Sequence, residues 1–361
     1  MTNTDTATSA ETDLTAAARV FALDIGLRYV DCSGRGIQRE MRDGDPVYTD
    51  QDGDRITDPA VLQRIRSLGI PPAWTHVWIC TNQRGHIQAT GRDARGRKQY
   101  RYHEAWRASR DATKFHRLIA FGAGLGALRD RVDKDMRRPT LDRDRIVAAV
   151  VRLLDRTHVR VGNEEYARLN GSFGLTTLRT DHVDVSGDRL RLRFRGKSGK
   201  EHRISVADRR IARVVARCEE LPGQTLFQYV GDDGEVRPVR SEDVNEYLGD
   251  FTAKDFRTWA GTVGAVRILT AADPPGDTPR ARQREVRAML EEVAADLGNT
   301  VAVCKKSYVH PEVMREYVEE GALRIPVRRR VPPGLLPEEA DLLAWLRGHE
   351  RAALKSARRS A

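Results

Sequence analysis

Apolar positions along the first third of the chain follow a short period. Val77-Trp78-Ile79-Cys80 and His86-Ile87-Gln88-Ala89-Thr90 are brief β-like runs bounded by glycine, aspartate and arginine clusters, and Pro71-Pro72 precedes the first. They predict a small β-rich region over about 20–105. Beyond it the period lengthens. Residues 110–137 and 142–156 carry helical patterns, and in the second Ile146, Val147, Val150, Val151 and Leu154 recur at helix spacing behind the N-cap candidate Asp142. Arg145 stands where a capping box would need Glu or Gln, so that box is incomplete. A shorter helix is expected at about 163–169.

Residues 183–206 return to strict alternation: Val183, Val185, a Gly187-Asp188 turn, Leu190, Leu192, Phe194, a second turn from Gly196 to Lys200, then Ile204 and Val206. This predicts a three-stranded meander within a helical region. The rest is expected to be helical, with breaks near 221–224, 273–278 and 331–337. No internal repeat is visible.

Composition narrows the function. The 361 residues include 62 Lys and Arg against 52 Asp and Glu, a formal net charge of +10. Such a surface attracts polyanions, nucleic acid first among them. Cys32, Cys80, Cys218 and Cys304 are scattered and form no CxxC pair, which argues against a zinc ribbon or disulfide scaffold and fits a reducing cytoplasm. No apolar run is long enough for a membrane span. The first 19 residues lack the apolar core of a secretory signal and are expected to be a disordered tail. The nine histidines form no HExxH or His–Cys cluster, and no Walker loop is present, so no cofactor is expected. Phe121-Gly122-Ala123-Gly124-Leu125-Gly126 superficially matches a dinucleotide loop, but the residues before it look helical rather than strand-like. A tight helix–helix packing site or a helix break fits better.

Candidate chemistry then rests on Arg, Lys and Tyr. Cutting a phosphodiester without a metal requires a nucleophile, fixed cationic donors around the nonbridging oxygens, and an acid for the departing oxygen. Arg160 lies in His158-Val159-Arg160-Val161-Gly162-Asn163, Lys197 in a hairpin turn, Arg257 in Lys254-Asp255-Phe256-Arg257, and Tyr308 in Lys305-Lys306-Ser307-Tyr308. Taken one at a time, such residues are more often surface ion pairs or core rings.

Their order and surroundings change this. HVRVGNEEYARLNGSFGLTTLRTDHV, FRGKSGK, KDFRTW and LGNTVAVCKKSYVHP, in that order, resemble the motifs of type IB DNA topoisomerases of the poxvirus-like and bacterial branch. The resemblance spans about residues 65–315. It implies an α+β fold: a β-rich N-terminal DNA-binding domain at 20–105 and a mainly α-helical catalytic domain at 106–346, of the topoisomerase IB/tyrosine recombinase type, with a small β-hairpin sheet. A basic C-terminal tail at 347–361 carries Arg351, Lys355, Arg358 and Arg359.

The implied activity is ATP- and metal-independent relaxation of supercoiled duplex DNA through a 3′-phosphotyrosine, strand rotation and religation. The enzyme would be a monomeric clamp, cytoplasmic and nucleoid-associated, with no membrane partner. Tyr308 would be the nucleophile, Arg160 and Arg257 the phosphate clamp, and Lys197 the general acid. Asn299 stands where the poxvirus branch has histidine, and its NH₂ would donate a neutral hydrogen bond to a nonbridging oxygen; its alternative role is a helix cap after Gly298. Gln99, Tyr100 and Tyr102, in GRKQYRYHEAW, together with Tyr166 and Lys254, fall on DNA-contacting positions. For the first three, alternate aromatic packing on a strand is the competing reading. A tyrosine recombinase would usually have histidine where Lys254 stands, and an inactive DNA-binding relative would not need all four of Arg160, Lys197, Arg257 and Tyr308.

Overall fold

The computed structural model describes residues 18–32, 34–42, 44–94, 96–271, 276–326 and 330–360; side chains at 108, 110–114, 116 and 353–360 lie outside that description. The chain forms two compact units, 1–114 and 115–361. The expected tail at 1–19 lies outside the described residues except for its last two, which open a helical segment at 18–24.

The first unit is built on a five-stranded antiparallel sheet of order β2-β1-β3-β4-β5, with β1 Ile37–Arg42, β2 Asp45–Thr49, β3 Thr75–Ile79, β4 Ile87–Arg92 and β5 Lys98–Tyr102. Between β2 and β3 lies helix α1, Pro59–Ser67, which the alternation reading passed over. Its start signal is local: Asp58 caps the Ala60 N–H at 2.8 Å and Pro59 fills the first helical position. Ile65 on α1 packs with Ile37, Val77, Ile79 and Ala89 of the sheet. Strand β5 is an edge strand. Tyr100 and Tyr102 are exposed on it, with rings stacked at 5.8 Å between centroids, so they do not fill a core.

Helix α2, Glu104–Asp135, runs unbroken through the glycine-rich stretch. Those glycines are contact points rather than a loop. A Cβ on Gly122 would sit 2.4 Å from the Trp259 ring, one on Gly124 2.7 Å from Phe251, and one on Gly126 2.4 Å from the Pro333 carbonyl oxygen. Close packing outweighs the helix cost of about 1 kcal/mol per glycine.

Helix α3, Arg143–Thr157, is apolar on nearly every side and lies in the centre of the second unit. Asp142 caps it by accepting the Arg145 N–H at 3.0 Å. A short α4, Glu164–Asn170, follows. The meander then appears as β6 Val183–Ser186, β7 Arg189–Arg195 and β8 Glu201–Ala207, paired antiparallel in sequence order. Leu190, Leu192 and Phe194 face the core, while Arg189, Arg191, Arg193 and Arg195 face outward.

After α5, Arg209–Glu219, comes a hairpin of β9 Gln228–Val230 and β10 Val236–Pro238, in a stretch expected to be helical. Helices α6 Ser241–Leu248, α7 Ala253–Thr270, α8 Pro279–Asp296, α9 Val301–Ser307, α10 Pro311–Glu320 and α11 Pro337–Ser360 complete the unit. The basic C-terminal stretch is therefore the end of α11; the side chains of Lys355, Arg358 and Arg359 lie outside the described residues. Among the described residues no helix is long and apolar enough to cross a membrane.

Because the neighbour of Gly126 is backbone, which moves less easily than a side chain, Gly126→Ala should destabilise the protein by about 1–3 kcal/mol. Calorimetry should read this as a melting temperature several degrees lower.

Candidate active site

The site is assembled where several chain segments end. Helix α3 stops at His158, whose φ of +54° turns the chain out of the helix. The following segment carries Arg160 and is pinned by Leu175 N–H to the Arg160 carbonyl at 3.0 Å and Thr176 N–H to the Val161 carbonyl at 2.7 Å. This approach needs glycine: a Cβ on Gly174 would lie 2.6 Å from the Arg160 carbonyl oxygen and from the Gly162 nitrogen.

Arg257 projects from α7 and is only 4% exposed. Its guanidinium donates to the Leu297 carbonyl at 2.6 Å and to the His158 carbonyl. Those carbonyls terminate α8 and α3, and helix C-termini carry partial negative charge. The cation is thus fixed by two helix ends, with its Nε buried and unpartnered among the described residues.

Helix α8 closes through Leu297 and Gly298, φ +60°, and the Asn299 N–H returns to the Ala294 carbonyl at 2.8 Å. The backbone of Asn299 therefore helps to close the helix, while its side chain faces the arginines. Oδ1 accepts from Arg160 Nη2 at 2.5 Å, and Nδ2 is buried with no partner among the described residues. Thr300 caps α9 by accepting the Val303 N–H at 3.3 Å. Tyr308 ends that helix, with its N–H on the Cys304 carbonyl at 2.9 Å. Its ring is buried, and the Arg257 guanidinium carbon lies 5.0 Å from the ring centroid. Helix α7 also sets the tyrosine backbone. A Cβ on Gly261 would fall 2.6 Å from the Tyr308 carbonyl oxygen, and the Thr262 hydroxyl accepts the His310 N–H at 3.2 Å.

The charge balance is unusual for a buried site. Burial pushes the Tyr308 phenol up, but the pull of Arg257, then Arg160 and Lys254, outweighs it and the net direction is down. Arg160 is itself lowered, by burial first and then by Arg257. Among the described residues no carboxylate forms a salt bridge with Arg160 or Arg257. The partly buried Arg129 and Arg152, in contrast, each hold two carboxylates, Asp155 and Glu339 for the first, Asp133 and Asp208 for the second. A concentration of positive charge with spare donors and no carboxylate partner among the described residues suits the binding of an oxyanion.

Two family models match the chain: the catalytic core of eukaryotic DNA topoisomerase I over residues 103–323, and the N-terminal domain of bacterial DNA topoisomerase IB over residues 47–93. The DNA topoisomerase 1B of Acanthamoeba polyphaga mimivirus is 32% identical over 286 residues, covering 76% of this chain and 85% of the viral protein. That of Vaccinia virus (strain Copenhagen) is 18% identical over 243 residues, 65% and 74% of the two chains. The chain belongs to the type IB DNA topoisomerases. It is an α+β enzyme of that family and acts on DNA.

Of the expected site residues of this topoisomerase, the structure brings Arg160, Arg257, Asn299 and Tyr308 together. Lys254 is exposed on the first turn of α7, and its charge is felt at the phenol. Lys197 is not in the cluster. It is exposed in the tight turn between β7 and β8, where Ser198 and Gly199 both have positive φ. Tyr166 is 49% exposed on α4. Gln99 donates to Asp93 at 2.9 Å, beside the exposed Tyr100 and Tyr102 in the first unit.

Two neighbours escaped the sequence reading. Lys200 donates from Nζ to the Asn299 carbonyl at 3.0 Å. His202, stacked on Phe194, is held below its ordinary pKa by burial, then by Arg160, Arg257 and Lys200. The second lysine of Gly-Lys-Ser-Gly-Lys was the only available signal. Through Lys200 the base of the hairpin is tied to the arginine–tyrosine cluster.

Two outcomes follow from this geometry. Gly261→Ala should displace the tyrosine and slow strand cleavage about 10- to 100-fold while DNA affinity is kept, as single-turnover cleavage and a binding assay would show. Lys254→Ala removes a cation that favours phenolate, so the rising limb of the cleavage pH–rate profile should move to higher pH.

Proposed function

We propose that Tyr308 is the nucleophile of a DNA strand-cleavage reaction that relaxes supercoiled duplex through a 3′-phosphotyrosine. The observation that carries this reading is the buried tyrosine set against Arg160 and Arg257, without a carboxylate among the described residues to neutralise them. The Tyr308 oxygen bonds to phosphorus as the bond from phosphorus to the 5′ oxygen breaks. The phenol proton leaves to water, and Lys197 supplies a proton to the 5′ oxygen. Arg160 and Arg257 bind the nonbridging oxygens, and the unpartnered Nδ2 of Asn299 donates a neutral hydrogen bond beside them. Religation reverses each transfer after the free strand has swivelled.

The hairpin position suits Lys197 to its role. A residue exposed on a turn can enter a groove beside the leaving oxygen, while Lys200 anchors the turn's base. Charge stabilisation comes from side chains, so neither ATP nor a metal ion is required. One tyrosine cuts one strand, so a monomer suffices.

Residues 20–105 serve as the DNA-binding domain, with Gln99, Tyr100 and Tyr102 on its exposed edge, and 106–346 as the catalytic domain. Both grip the same duplex as a clamp. Tyr166, Lys254 and the outward arginines of β7 add contacts, and the basic end of α11 extends the positive surface. The site of action is the nucleoid of a bacterial cytoplasm.

The test is relaxation of negatively supercoiled plasmid in EDTA without ATP. The wild-type enzyme is expected to relax it fully, and Tyr308→Phe to bind the plasmid yet leave it supercoiled. Relaxation by Tyr308→Phe would remove the nucleophile assignment, and strict dependence on magnesium would remove the metal-free mechanism.

A further inference from the structure

The family match ends at residue 323, before α11 begins, yet one α11 side chain bonds to α7 two residues from Arg257. Glu339 is 5% exposed, and both its oxygens are filled. Oε1 accepts from Trp259 Nε1 at 3.1 Å and Arg129 Nη2 at 2.9 Å; Oε2 accepts from Arg129 Nη1 at 2.7 Å and the Leu336 N–H at 2.8 Å. Arg129, on α2, also grips Asp155 at 2.8 and 2.9 Å.

These partners bracket Arg257. Trp259 lies two residues beyond it on α7. Asp155 lies three residues before His158, whose carbonyl holds the Arg257 guanidinium. A cavity of about 680 Å³, lined in part by Asp155, His158, Phe256, Trp259 and Glu339, opens at the same place. The ion cluster therefore ties the end of α3, through Asp155, to α7, through Trp259, and helps to fix their spacing. A buried ion cluster is a poor source of net stability but a good source of defined geometry.

We propose that Glu339 is a positioning residue for Arg257, acting through Trp259, Arg129 and Asp155. The proposal rests on the assignment of Arg257 to the scissile phosphate. Glu339 stays charged because Arg129, the Leu336 N–H and Trp259 together outweigh the effect of burial, which alone would raise its pKa. A neutral amide there would place an NH₂ against donors that expect an acceptor.

The experiment measures single-turnover cleavage, with enzyme in excess, of a duplex that loses a short 5′-hydroxyl fragment on cutting. Glu339→Gln should cleave about tenfold more slowly, with unchanged DNA affinity and the same final fraction cleaved. Arg129→Lys, which keeps the charge but cannot fork both carboxylates, should do the same and carries the test if Glu339→Gln does not fold.

Glu316→Gln is the control. Glu316 anchors α11 elsewhere, accepting from Trp345 Nε1 at 3.0 Å and contacting His349 Nε2 at 2.8 Å. It should lower the melting temperature and leave the cleavage rate unchanged. Wild-type rates in both Glu339→Gln and Arg129→Lys would overturn the proposal. So would equal slowing by Glu316→Gln, which would point to general loosening. Arg257→Ala is measured alongside: a wild-type rate there would sink the underlying assignment, whereas slow Arg257→Ala with wild-type rates in both Glu339→Gln and Arg129→Lys would sink only the buttress.

Discussion

Arg160 and Arg257 bring two like charges against one buried phenol, and among the described residues no carboxylate balances them. A protein that needed only stability would not keep this arrangement, because burying a cation without a counter-ion costs several kcal/mol. The arrangement persists because the rest of the second unit over-determines it. Arg257 is held by the carbonyls that close α3 and α8, Arg160 by Asn299 and a glycine-lined crossing of two segments, and Tyr308 by the end of α9 and the bare face of α7 at Gly261. On the proposed reading a DNA phosphate supplies the missing negative charge; the same cations draw the tyrosine toward phenolate.

This constraint gives function to features that look structural. The left-handed His158 presents a carbonyl to Arg257. The glycines of α2 let α7 and the segment around Pro333 approach closely. The meander carries two kinds of lysine. Lys200 binds the Asn299 carbonyl, and Lys197 stays exposed at the tip. An exposed turn for the proposed general acid and helix ends for the proposed phosphate donors suit those tasks, since one must reach a leaving group and the others must not move as charge develops.

Much of this was legible from residue order alone. The meander was plain because two-residue alternation has no competing reading in Val183–Ala207, and α3 because its apolar residues recur at helix spacing. Helix α1 was missed although Asp58-Pro59 signals its start, because the region around it reads as strands. The β9–β10 hairpin has three residues per strand, too few for a periodic signal. The catalytic cluster was readable only through the order of its motifs; no single residue stood out among 62 Lys and Arg. Glu339 was invisible, since nothing local distinguishes a carboxylate that meets Arg129 across 210 positions of sequence from one on a solvated helix face. At Asn299 the backbone helps to close α8 while the side chain faces Arg160, so a capping role does not exclude the proposed phosphate contact.

In the proposed reaction Tyr308 becomes covalently joined to DNA. The most direct measurement stops the enzyme on supercoiled plasmid with denaturant, digests both protein and DNA, and sequences the surviving peptide–nucleotide adduct by mass spectrometry. One adduct is expected, on Tyr308, joined through the 3′ phosphate of the cut strand. An adduct on another residue, or a linkage through the 5′ phosphate, would contradict it.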